Sequence, residues 1–68
     1  MRTIGKKNIN LVRKITRKYL PKWEKDPFKT FEDLKEMVFN ELPDEIFDKW
    51  EGAYSEIVRI IEEEVFNF

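Results

Sequence analysis

The longest unbroken helical pattern in this chain is DEIFDKWEGAYSEIVRIIEEEVFNF, residues 44–68, and the rest of the chain is predicted to pack against it. At about 100° per residue, its apolar side chains fall on one side of a helix and most of its acids fall on the other. The phase is the same before and after Gly52, so the pattern predicts one helix over residues 44–66. Its predicted core positions are Ile46, Trp50, Tyr54, Ile57, Ile61, Val65 and Phe68.

Two shorter amphipathic segments precede this helix. Asn8 is a suitable N-cap for a first helix over residues 8–20, which should end before Pro21 because proline disfavours helical geometry at the residue before it. Thr30 is a suitable N-cap for a second helix over residues 30–42, with acids in the first turn where the helix dipole favours them.

The 68-residue chain is therefore predicted to form a single all-α domain, a compact three-helix domain with a long C-terminal helix. Residues 1–7 show no periodicity and are predicted to form a flexible basic arm. A short strand within residues 1–5 would instead give a winged-helix-like arrangement, which remains the alternative. The wide apolar faces also favour a homo-oligomer, most simply a dimer.

The composition argues against catalysis. The chain contains no histidine and no cysteine, so it lacks the Ser-His and Cys-His pairs of nucleophilic enzymes and the thiolates of zinc sites. We expect no enzyme activity, no catalytic residue, no metal site and no cofactor. No apolar run is long enough to span a bilayer, so we expect a cytoplasmic protein without membrane contacts. The high Lys and Glu content is typical of proteins from hyperthermophiles.

The charges are divided sharply along the chain. Residues 1–29 contain ten Lys or Arg against two acids, and residues 30–68 contain three against twelve. A basic helix and arm could neutralise several phosphates of a nucleic acid. The predicted phosphate contacts are Arg2, Lys6, Lys7, Arg13, Lys14, Arg17, Lys18 and Lys22. Three residues could reach base edges (Asn8, Asn10 and Arg13), and Trp23 is the predicted exposed aromatic contact.

The sequence therefore predicts a small non-enzymatic nucleic-acid-binding protein, with transcriptional regulation as a candidate role. Its acidic C-terminal helix would be repelled by phosphate, so the first helix would have to lead. The competing interpretation is that the basic helix pairs with acids of the same chain or of a second copy. A protein–protein interaction module, using the acidic and apolar helix faces, is the alternative function.

Overall fold

The computed structural model describes residues 2–68. Within that range the chain forms three α-helices, α1 (Lys6–Glu24), α2 (Phe31–Glu41) and α3 (Ala53–Phe66), and a short 3₁₀ helix (Asp44–Asp48) precedes α3. None of residues 2–68 forms a strand. The predicted all-α fold is therefore confirmed, and the winged-helix alternative is wrong.

Helix α1 lies at the centre of the domain. It packs along both α2 and α3, which contact each other much less. Ile4 contacts Glu56 and Arg13 contacts Glu63, so α1 and α3 run in the same general direction. The prediction that residues 44–68 form the central element is wrong, because the longest helix of the structure is α1.

Both ends of α1 extend beyond the predicted residues 8–20. The helix begins at Lys6 because Gly5 adopts a φ of 93°, which only glycine accepts readily. Asn8 lies inside the first turn, where its side-chain amide donates to the Ile4 carbonyl at 2.8 Å, so it is not the N-cap. The helix also continues through Pro21, which lies on the exposed face.

Tertiary contacts explain why α1 passes its proline. Trp23, the second-to-last residue of α1, is only 8% exposed and is part of the core. Its indole Nε1–H donates to the Thr30 carbonyl at 2.8 Å, which joins the end of α1 to the start of α2. Thr30 caps α2 as predicted, since its hydroxyl accepts from the Asp33 amide at 3.3 Å. Burial of Trp23 thus outweighs the local tendency of Pro21 to end the helix.

The predicted third helix is interrupted. The chain leaves helical geometry after Asp48 and resumes it at Ala53, so the prediction of one continuous helix over residues 44–66 is wrong. The Trp50 ring folds over Gly52, where a Cβ atom would lie 2.2 Å from the nearest ring carbon. The absence of a side chain at Gly52 therefore leaves room for the Trp50 ring at the break between the 3₁₀ helix and α3.

The core contains one or more side chains from every helix and from the segment before α1. Its buried apolar members are Ile4, Val12, Ile15, Leu20, Trp23, Leu34, Val38, Leu42, Ile46, Ala53, Ile57, Ile60 and Ile61. Of the predicted core positions, Trp50 and Val65 are partly buried and pack against this core, whereas Tyr54 and Phe68 are 51% and 61% exposed. Phe68 lies beyond the end of α3, and Tyr54 lies in the first turn of α3, where its ring packs on Phe39 with ring centroids 5.4 Å apart.

Candidate nucleic-acid interface

Helices α2 and α3 both pack on one side of α1 and leave its opposite side exposed. We call this exposed, mostly basic side of α1 the basic ridge. Val12, Ile15 and Leu20 face the core. At about 100° per residue, the exposed side chains cover about 160° of the opposite side. The exposed residues of α1 are Lys6, Lys7, Asn10, Lys14, Arg17, Lys18, Pro21, Lys22 and one acid, Glu24, which lies 4.0 Å from the Lys29 ammonium.

One flank of the ridge is paired with acids of α3. The Arg17 guanidinium donates to the Glu64 carboxylate from two nitrogens, and Arg13 lies 3.9 Å from the Glu63 carboxylate. Glu64, which falls within the apolar arc of the sequence pattern, is therefore explained by its ion pair. Its side chain is 10% exposed, whereas that of Arg17 is 67% exposed.

The other flank is paired with the end of α2. The Lys18 ammonium lies 3.0 Å from the Glu41 carboxylate. Hydrogen bonding to Glu41 raises the pKa of Lys18, and the Tyr19 hydroxyl together with Lys18 lowers the pKa of Glu41. Three of the predicted phosphate contacts, Arg13, Arg17 and Lys18, thus have intramolecular partners, as the competing interpretation expects.

Of the seven remaining cations of this half, Lys29 lies 4.0 Å from the Glu24 carboxylate and the other six have no acidic partner in the described residues. No acidic group of residues 2–68 forms an ion pair with Arg2, Lys6, Lys7, Lys14, Lys22 or Lys25. Lys7 and Lys14 lie seven residues apart, so they share one face of the helix. Lys25, absent from the predicted contacts, lies just beyond the C-terminus of α1 and extends the same basic surface. The paired cations therefore lie on the two flanks of α1. The unpaired cations lie along the middle of its exposed side, which we call the crest, and at both ends.

The segment before α1 is anchored to α3, so the prediction of a flexible arm over residues 1–7 is wrong for the described residues. Ile4 is 3% exposed. Glu56 accepts hydrogen bonds from the Ile4 amide at 2.9 Å, the Thr3 hydroxyl at 2.7 Å and the Trp50 indole at 2.9 Å. Lys6 and Lys7 belong to α1 itself. Met1 lies outside the described residues.

Glu56 was not identifiable from the sequence as an anchor, because it appears there as one more acid on a polar face. Burial pushes the pKa of Glu56 upward, but the hydrogen bonds from Thr3, Ile4 and Trp50 outweigh it and hold that pKa below its usual value. The carboxylate consequently fixes the position from which Arg2 extends. Arg2 and Arg59 line one cavity of 260 Å³ beside this anchor.

The three candidate base contacts have different environments. Asn8 uses its amide on the Ile4 carbonyl, and Arg13 is half-buried beside Glu63. Asn10 is exposed, and its side chain has no hydrogen-bond partner among residues 2–68. The prediction that Trp23 is an exposed aromatic contact is wrong, because Trp23 is buried.

Three phenylalanines are the most exposed large apolar side chains. Phe28 is 86% exposed, Phe66 90% and Phe68 61%. Because α1 and α3 run in the same direction, the connector after α1 and the end of α3 lie toward the same end of the domain. We call Phe28, Phe66 and Phe68 the aromatic end.

Comparisons with known proteins identify no relative: no protein-family model, curated protein or solved structure matches the chain. No helix among residues 2–68 is long and apolar enough to cross a membrane. In the same range, no group of three acidic side chains is arranged to hold a metal ion.

Proposed function

We propose that this protein binds nucleic acid through the basic ridge of α1, with a role in transcriptional regulation. The observation that carries the proposal is the unpaired row along α1, in which Lys7, Lys14 and Lys22 are exposed and lack acidic partners within residues 2–68. Like charges on one helix face repel each other, so a row without internal acids favours an external anion. A phosphate backbone supplies such anions in a repeating line.

The dimensions of the ridge suit this partner. From Lys7 to Lys22 the helix axis rises about 22 Å, which matches about six base pairs of duplex at 3.4 Å each. Arg17 and Lys18 can add to these contacts, because exposed ion pairs contribute only about 0–1 kcal/mol and leave their donors accessible. The neighbouring acids, Glu64 and Glu41, are paired with these two cations and therefore do not face the phosphates as unpaired negative charges.

The proposal is tested by fluorescence anisotropy of labelled DNA and RNA against the protein at several salt concentrations. We expect binding that weakens steeply with salt. The Lys7→Gln/Lys14→Gln variant should lower the magnitude of the log–log salt slope by about 2 and weaken binding to all sequences alike. Circular dichroism checks that α1 is intact.

Lys49→Gln is the matched control, because Lys49 is an exposed lysine far from α1 in sequence and without an ion pair in the described residues. It should bind like the wild type. An unchanged slope in the Lys7→Gln/Lys14→Gln variant would refute the placement of the site on α1. Absence of binding to every nucleic acid at low salt would refute the function itself.

The aromatic end supports a second candidate function, association with another protein or with a second copy of this chain. Phe28, Phe66 and Phe68 would bury their exposed rings in such an association. Light scattering of the wild type should then exceed the monomer mass of 8.4 kDa. A Phe28→Ser/Phe66→Ser variant should return it to that mass, whereas Lys49→Gln should not. A wild type that stays monomeric at high concentration and captures no protein would exclude this candidate.

A further inference from the structure

We infer that α1 enters the major groove of duplex DNA and that Asn10 reads the edge of an adenine there. This inference rests on the proposed function and goes beyond it, because phosphate contacts alone carry no sequence information. It names the form of nucleic acid, the groove and the residue that sets specificity.

The ridge shape of α1 supports the choice of groove. An α-helix with its side chains is about 10–12 Å wide, and the major groove of B-DNA is about 12 Å wide and 8.5 Å deep. The exposed side chains of α1 cover an arc of about 160°, so α2 and α3 leave one side of the helix accessible to a groove. The major groove of A-form RNA is too deep and narrow for a helix, so duplex DNA is the form that fits.

The order of side chains across the arc supports the choice of residue. Taking Val12 as zero, Asn10 and Lys14 lie at about 160° and 200°, on the crest. Arg17 lies at about 140° on one side and Lys18 at about 240° on the other. A helix with this order can present Asn10 to base edges, while Lys14 and the flanking cations reach the phosphates on either side.

The chemistry of the crest is specific. An asparagine side chain can donate its N–H to adenine N7 while its carbonyl accepts from adenine N6–H, and this bidentate pattern distinguishes adenine from the other bases. Asn10 is free to do this, because its amide has no partner among residues 2–68. An exposed asparagine inside a helix also lowers helix stability relative to alanine, so its presence has no structural benefit there.

The test is selection from a random duplex library, followed by anisotropy on the selected sequence. The wild type should enrich a short motif that contains adenine. Asn10→Ala should lose about 5- to 100-fold discrimination at one adenine position, while its salt slope stays unchanged. The control is Asn40→Ala, which removes another exposed asparagine on α2 and should keep the motif.

The failures of the two proposals are distinguishable. Steep salt-dependent binding without any enriched sequence would overturn this inference and leave the proposed function standing. Equal affinity of the selected duplex and a double-stranded RNA of the same sequence would overturn it as well, as would an Asn10→Ala variant that keeps the adenine preference. No binding to any duplex would overturn both. Because alanine favours helix, the Asn10→Ala variant is expected to fold, so a loss of the adenine preference would report on binding.

Discussion

The carboxylate of Glu56 joins three parts of the chain, and its removal is predicted to be the most damaging single change on the surface of α3. Oε1 accepts from both the Ile4 amide and the Trp50 indole, and Oε2 accepts from the Thr3 hydroxyl. Glu56→Ala leaves the first two donors partly buried without an acceptor. A hydrogen bond to a charged group contributes about 1.5–3 kcal/mol, and the donors regain some water after truncation. We therefore expect a loss of about 3 kcal/mol.

In a domain of this size, a loss of about 3 kcal/mol lowers Tm by about 12–24 °C. Glu56→Gln is the matched control, because an amide oxygen at the position of Oε1 can still accept from Ile4 and Trp50. It should lose only about 1 kcal/mol, the part that depends on charge. Thermal melts followed by circular dichroism compare the two variants. Equal Tm values for the alanine and glutamine variants would refute the assignment of the anchor to these two hydrogen bonds.

The same anchor should respond to acid. Because the pKa of Glu56 in the folded protein is lowered, its stabilising contribution is present above the unfolded-state value, about 4.3, and is lost as pH falls through the folded-state value. Urea unfolding at pH 7 should show the wild type more stable than Glu56→Gln, and the difference should shrink progressively as the pH is lowered below the unfolded-state value. A difference that persists unchanged at pH 3 would show that ionisation of this group does not contribute.

Three further substitutions test the local structure, each measured as a change in the urea midpoint. Gly52→Ala places a Cβ atom 2.2 Å from the Trp50 ring and should destabilise by about 1–3 kcal/mol; a neutral effect would mean that the ring moves aside freely. Gly5→Ala should cost about 1–3 kcal/mol through the backbone alone, because a Cβ there meets no atom within 4 Å; stability equal to wild type would exclude the φ of 93°. Thr30→Ala should cost about 1 kcal/mol by removing the N-cap of α2, whereas Thr30→Ser should retain stability; similar losses in both would argue against the cap.

Helix α2 was predictable from sequence because all of its signals agree. Thr30 caps it, acids occupy its first turn, and its apolar period places Leu34 and Val38 in the core. The exposed position of Phe66 also follows from the helical period of the last segment. Where local propensity and burial indicate the same structure, the pattern alone is sufficient.

The other boundaries depend on contacts between residues distant in sequence. Pro21 is a helix breaker locally, yet α1 continues past it because Trp23 reaches the core and the Thr30 carbonyl. Gly52 is compatible with a helix locally, yet the chain breaks there because the Trp50 ring occupies its open side and bonds Glu56. In both cases an indole that packs on the core and has a hydrogen-bonded N–H decides the backbone path. The periodicity of the sequence does not show where that N–H finds its acceptor.

The division of charge illustrates the same limit, and it also gives the proposed function its physical basis. The number of cations can be read from the sequence, but which of them form ion pairs with acids depends on the fold. Because α1 lies between α2 and α3, acids reach only its flanks, at Arg13, Arg17 and Lys18. If internal neutralisation were the whole reason for the basic half, Lys14 would have a partner, since it adds like-charge repulsion to Lys18 four residues away. Removing the Lys14 charge should therefore cost no stability while weakening nucleic-acid binding, the combination expected when a side chain serves a ligand and not the fold.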